Sequence, residues 1–223
     1  MPHIVTEVPR LKAEVTTMLT EFDPATLVEA AGGRGMLDPA IRPAWPGARV
    51  SGAVVTVDCP YGDNLMLHKA ITVAEPGDVL VVTTGGCLDR GAWGEIMTIA
   101  AQARGIAGLI TDGAVRDVDA MQRLAFPAFS RGTAIVGCTK TELGRINHPV
   151  NCGGVYLRAG DVISANVDGI VAIRHEEAAA VLEAARARSD KEAAIMAELR
   201  KGATTLELLG LEGVFDEAEP AQE

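Results

Sequence analysis

Hydrophobic and polar positions along the chain change period several times. Residues 9–21 place Leu11, Val15, Met18 and Leu19 on one helical face. Asp23-Pro24 then predicts a short helix, with Asp as cap and Pro in the first turn, ending at Gly32-Gly33. Residues 36–49 contain Pro39, Pro43 and Pro46 and read as an irregular loop. Residues 50–57 are β-branched and partly alternating, and residues 78–83 form an apolar run behind the turn Glu75-Pro76-Gly77. Residues 92–104 return to helical spacing and stop at Gly105, and residues 106–111 read as a buried strand. Residues 134–136, 155–157 and 170–173 are further strands. From 176 to 201 the chain is rich in Ala, Glu and Arg, with no Pro or Gly before Gly202. That predicts a long helical arm whose apolar positions Ala180, Leu182, Ile195, Met196 and Leu199 need a partner on the body or a neighbouring subunit. The last ten residues read as frayed.

Residues 78–117 form the informative unit: strand, glycine-rich loop, helix, strand, loop. A right-handed β-α-β crossover brings the carboxyl ends of both strands to one sheet edge. The loops 84–94 and 112–117 should therefore emerge side by side, at the edge where open α/β sheets usually bind ligands. The expected fold is one α/β domain, with a mixed sheet and flanking helices over residues 1–175 and a C-terminal helical arm over 176–223.

Composition narrows the function. The chain has 223 residues, 48% hydrophobic and 22% charged, a globular balance that excludes a disordered chain. Aromatics make up only 4%, so the core must be aliphatic. The net charge is −10 and no basic stripe is visible, which argues against nucleic acid as a partner. Cys59, Cys87, Cys138 and Cys152 show no C-x-x-C spacing and read as small buried hydrophobes. The N-terminus carries no signal-peptide pattern and no stretch is long enough to span a membrane, so a soluble cytoplasmic protein is expected.

Loop 84–95 opens a helix through Gly94. Glycine admits close backbone approach, and a helix N-terminus offers unpaired N–H groups, so Gly94, Glu95, Ile96 and Met97 could cradle an anion. No Walker A loop or dinucleotide fingerprint is present. The second loop gathers Asp112, Arg116, Asp117 and Asp119. Carboxylates at a strand end suit Mg²⁺, and Arg116 offers a planar fork for a carboxylate or enolate. Twenty residues lie between Glu95 and Arg116, the span of one helix, turn and strand. A metal, an arginine and a helix N-terminus around one crevice point to chemistry on an α-keto acid. Elsewhere, His68 and His148 read as satisfied structural histidines and His175 begins a helix. Asp63-Asn64 either lines the crevice or caps a turn, and Arg90 is either a substrate contact or a solvated loop residue.

The stretch GGCLDRGAWGEIMTIAAQARGIAGLITDGAVRD resembles the RraA-like family. So do PAIRPAWPGARVSGAVVTVDCPYGDNLMLHKAI and NCGGVYLRAGDVISANVDGIVAI, and the resemblance covers roughly residues 25–175. That family includes metal-dependent 4-hydroxy-4-methyl-2-oxoglutarate / 4-carboxy-4-hydroxy-2-oxoadipate aldolases and regulators of ribonuclease E activity. The resemblance implies a barrel-like layered core of the swivelling β/β/α type and a homotrimer or homohexamer. It also implies a class II pyruvate aldolase acting on a keto acid, with oxaloacetate decarboxylation as a side activity. Gly94, Glu95, Ile96, Met97 and Arg116 would hold substrate, and Arg116 and Asp117 would be catalytic. Asp117 would ligate Mg²⁺ or Mn²⁺ directly and Glu95 through water. Where family members often carry a further acid three residues after the metal Asp, this chain has Ala120. Glu192 and Glu198 are both candidates for an acid reaching a neighbour's site. The alternative is a non-catalytic regulator of ribonuclease E, but those relatives are shorter and often lack the Asp after Arg.

Overall fold

The computed structural model describes residues 3–11, 15 and 18–216. The expected helix over 9–21 and the frayed tail therefore lie partly outside the described residues. Thirteen strands are present among them: β1 (Arg42–Pro43), β2 (Val50–Asp58), β3 (Val79–Thr83), β4 (Gly91–Trp93), β5 (Gly108–Thr111), β6 (Ala114–Val115), β7 (Ala128–Ser130), β8 (Gly132–Thr133), β9 (Arg145–Ile146), β10 (Val150–Cys152), β11 (Val155–Leu157), β12 (Val162–Ala165) and β13 (Ile170–Ile173). The helices are α1 (Pro24–Ala30), α2 (Leu65–Val73), α3 (Glu95–Gln102), α4 (Val118–Arg123), α5 (Ala178–Arg200), α6 (Thr205–Leu209) and α7 (Glu212–Asp216), with a 3-10 turn at His175–Glu177.

The main sheet runs β1-β7-β5-β3-β2-β12-β13, with β9 also on β2. The pairs β2–β3, β3–β5 and β5–β7 are parallel, while β1, β9, β12 and β13 pair antiparallel. This is the mixed α/β architecture expected from the sequence. Its centre is fully buried, because alternate side chains on a strand face opposite layers. Leu80 and Val82 join Val55, Val57 and the inner faces of α2 and α3, while Val79 and Val81 join Val54, Ile110, Phe129 and Ile163. Trp93 and Phe126, two of the few aromatics, stack in the first layer with ring centroids 5.8 Å apart.

The arm is anchored on its own chain. Ala178, Val181, Leu182 and Ala185 are buried against Leu19, Leu27 and Ile173, and Arg186 pairs with Glu21 at 3.1 Å. Beyond that turn, Met196 is exposed and Ile195 and Leu199 are half-buried; Ala180 is also exposed. No helix among the described residues is long and apolar enough to cross a membrane.

Several expectations are corrected. Residues 91–93 are strand β4, so the helix begins at Glu95 and not at 92. Residues 134–136 are not a strand; the strand lies just before, at β8, and Ile135 is exposed. Residues 42–43, within the expected loop, pair with β7 as an edge, where a proline costs no ladder bond that the sheet needs.

Asp63 resolves one alternative: it caps a turn. Its carboxylate accepts hydrogen bonds from the N–H groups of Leu65 (2.8 Å), Thr141 (2.7 Å) and Glu142 (3.3 Å) and from the Thr139 hydroxyl (2.8 Å). Burial pushes this carboxyl up, but those donors outweigh it and hold it at about 2. A depressed carboxyl stabilises the fold above its unfolded pKa and loses that contribution as pH falls through its folded value. Asp63→Asn is therefore expected to cost about 2 kcal/mol at pH 7. In denaturant titrations the gap from wild type should narrow between about pH 4 and about pH 2.

Candidate active site

Strand β4 ends at Trp93 and β6 at Val115, and the two run parallel, with Gly91 opposite Ala114 and Trp93 opposite Val115. Gly94-Glu95 and Arg116-Asp117 therefore leave the same edge together. The Arg116 N–H donates to the Trp93 carbonyl at 2.8 Å and extends the pairing by one residue. The expected juxtaposition is present, but a small second sheet, β4-β6-β8, built from the loops themselves, creates it.

Asp117 occupies the left-handed region, with φ 56°, and stands at the N-cap of α4. Aspartate tolerates this conformation better than most residues, though at some cost in strain. Its Oδ2 accepts a hydrogen bond from the Glu95 N–H at 3.0 Å, taking one of the orphan donors of α3. Arg116 Nε lies 3.7 Å from the same oxygen, and both side chains are about two-fifths exposed, at 41% and 42%. A Cβ on Gly94 would collide with the Asp117 carboxylate and crowd the Arg116 side chain. The close approach thus requires glycine at 94.

Arg116 separates two hollows. One, of about 420 Å³, is lined by Asp117, Val118, Asp119 and residues 133–135. The other, of about 120 Å³, is lined by Asn64, His68, Gly94, Ile96, Met97, Cys138 and Lys140 among others. Glu95 lines neither hollow; its carboxylate lies 3.6 Å from Arg123 on α4. Ile96 presents an exposed side chain, whereas Met97 is buried.

Not every candidate reaches this place. Asp112 turns away, accepting from the Thr84 N–H at 2.7 Å and the Thr84 hydroxyl at 3.0 Å. Arg90 donates to the Gly137 carbonyl at 3.1 Å and braces the loop. Ala120 is buried, while Asp119 lines the larger hollow. On the arm, whose acids were expected to reach a neighbouring subunit's site and not this one, Glu192 pairs with Arg188 at 2.8 Å and Glu198 with Lys201 at 2.7 Å. His68 departs from expectation: its Nε2 is buried with no hydrogen-bond partner. Burial and then Lys140 lower its pKa. Lys140 carried no signal in the sequence, and Cys138, read there as a small buried hydrophobe, is only partly buried and lines this hollow. A separate cavity of about 310 Å³ beside Tyr156 contains cations that are already paired, Arg34 with Glu177 and Arg174 with Asp161.

Among the described residues no group of three or more His, Cys, Asp or Glu side chains could hold a metal. Mg²⁺ does not need one, since it commonly binds through one or two carboxylates and keeps its waters. A half-exposed Asp117 beside Asp119 in an open hollow fits that mode.

Comparison with known proteins supplies the relatives. The family described as RraA-like: Aldolase/RraA matches residues 21–172. A protein of Halalkalibacterium halodurans named "Putative 4-hydroxy-4-methyl-2-oxoglutarate aldolase" is 39% identical over 197 residues, covering 82% of this chain and 94% of that one. The crystal structure of an uncharacterized protein from Pseudomonas syringae pv. tomato superposes with a TM-score of 0.83 at 28% identity, covering 92% of this chain and 97% of that one. Streptomyces coelicolor RraAS2, described as an unusual member of the RNase ES inhibitor RraA protein family, gives a TM-score of 0.76 at 25% identity, covering 88% and 100%.

Proposed function

The chain belongs to the RraA-like family of aldolases and RraA proteins, and from that premise we propose that it is a divalent-metal-dependent class II pyruvate aldolase. Its substrate would be 4-hydroxy-4-methyl-2-oxoglutarate or 4-carboxy-4-hydroxy-2-oxoadipate, cleaved to pyruvate plus pyruvate or oxaloacetate. Oxaloacetate decarboxylation is the expected side activity. One observation carries the reading: Asp117, Arg116 and the first turn of α3 converge across a single parallel strand pair.

In this mechanism the first turn of α3, from Gly94 to Met97, receives the substrate carboxylate on the N–H groups that Asp117 does not occupy. Gly94 leaves room for that approach. Asp117 would hold Mg²⁺ or Mn²⁺ directly and Glu95 through water; when bound, the cation polarises the keto group. Arg116 would donate to the keto oxygen as negative charge develops on it, a contribution made mainly in the transition state. The same reading takes a homo-oligomer, trimer or hexamer, with exposed Ile96, Ile99, Ile135 and Val136 on faces that a second copy would cover.

Likeness to the RraA inhibitor supports a second reading, a non-catalytic regulator of ribonuclease E acting by contact. Pyruvate release from the two substrates, measured with and without EDTA, separates them. An aldolase loses activity in EDTA and regains it on adding Mg²⁺ or Mn²⁺. No release from either substrate with metal present overturns the enzyme reading.

A further inference from the structure

The smaller hollow contains a feature that the metal and Arg116 do not account for. Asn64 is the N-cap residue of α2, and His68 follows four residues later, so both share one helix face. The Asn64 amide donates to the Ala92 carbonyl at 2.8 Å, which fixes its orientation. Its Oδ1 and the Nε2 of His68 are buried, and neither has a hydrogen-bond partner. Asn64 is only 5% exposed. Leaving a buried acceptor unpaired costs about 1–3 kcal/mol, and each such atom calls for a reason. Here two of them belong to residues lining one hollow, and the same hollow is lined by Gly94, Ile96, Met97 and Arg116. A ligand that completes one of these atoms must bring a hydrogen-bond donor, such as a hydroxyl, close to the proposed keto-acid position.

The charges around His68 favour a base over an acid. The ionisable groups sharing its hollow are Arg116, Lys140 and Cys138, with no carboxylate among them. Burial and then Lys140 both disfavour the imidazolium and favour the neutral ring, the form that accepts a proton.

We propose that His68 is the general base of aldol cleavage, taking the proton of the substrate's 4-hydroxyl on Nε2, while Asn64, held by the Ala92 carbonyl, walls the same side of the hollow. This rests on the aldolase reading and supplies the one group it lacks. The hydroxyl proton moves to Nε2, and the C4–O bond becomes a carbonyl. The C3–C4 bond breaks, and its electron pair enters the C2–C3 enolate facing Arg116. The imidazolium releases its proton to solvent, and C3 of the enolate takes one from water, giving pyruvate.

Oxaloacetate decarboxylation reaches the same enolate by losing CO₂ and has no hydroxyl proton to remove. The two reactions therefore distinguish a base from a merely structural or binding residue. In the full-length protein with Mg²⁺ present, His68→Gln and His68→Ala should lower kcat for cleavage by about 10²–10⁴-fold. Their decarboxylation should stay close to wild type, which also reports an intact fold. Wild-type cleavage rates in the variants would overturn the assignment, and so would a parallel loss of both reactions. A wild-type protein with neither activity overturns the aldolase reading, and this inference with it.

Discussion

Asp117→Ala and Asp117→Asn should both bring pyruvate release to background, yet differ in stability. Alanine removes the carboxylate that caps the Glu95 amide and places an ordinary side chain at φ 56°, where asparagine and aspartate are far better tolerated. Loss of such a cap costs about 1 kcal/mol. Asparagine keeps an oxygen for the Glu95 N–H and tolerates the left-handed backbone, but it gives up the charge that a divalent cation requires. Thermal unfolding should therefore place the Asn variant near wild type and the Ala variant below it, with neither active. Wild-type pyruvate release from the Asn variant would show that the carboxylate serves only as a cap.

Arg116 is expected to behave as a transition-state residue. If it stabilises an enolate that exists mainly at the barrier, Arg116→Ala should depress kcat more than it raises KM. Removing one such donor costs about 10²–10³ in rate, roughly 3–4 kcal/mol. Arg116→Lys keeps the charge but loses the planar fork, so it should recover little. Aldol cleavage and oxaloacetate decarboxylation should fall together, because both pass through one enolate. A rise in KM alone would reduce Arg116 to binding the substrate carboxylate. This parallel loss is the opposite of the split expected for His68, so the two residues can be assigned from the same pair of assays.

The main sheet was readable because its central strands are rich in β-branched and apolar residues, at 50–57, 78–83 and 106–111, separated by turn residues. Gly94, Arg116 and Asp117 were readable because their residue types are chemically unusual beside short strands. The β4-β6-β8 sheet was not, since strands of two or three residues carry no measurable period. Ile135 and Val136 suggested a strand through β-branching alone, but both are exposed, so tertiary placement overrode propensity. Helix α2 was missed because LMLHKAITV has too few polar positions to mark a face. Asn64 and His68 were consequently left as isolated residues, although their four-residue spacing was the signal that could have paired them.

The small β4-β6-β8 sheet also bears on insertions and deletions. The distance between Gly94 and Arg116 is set across the sheet, by pairing Gly91 with Ala114 and Trp93 with Val115. It is not set by counting along the chain. The twenty intervening residues record the length of α3, its turn, β5 and the short return through β6. A residue added in the turn at 103–105, which closes on the Gly77 N–H and Pro76, lengthens a connection remote from the hollows and leaves the pairing untouched. A residue added between Trp93 and Gly94 moves the glycine away from the Asp117 carboxylate it makes room for, and one added between Val115 and Arg116 turns the arginine to the opposite face. Natural length variation should thus be permitted at the far end of α3 and forbidden at its near end.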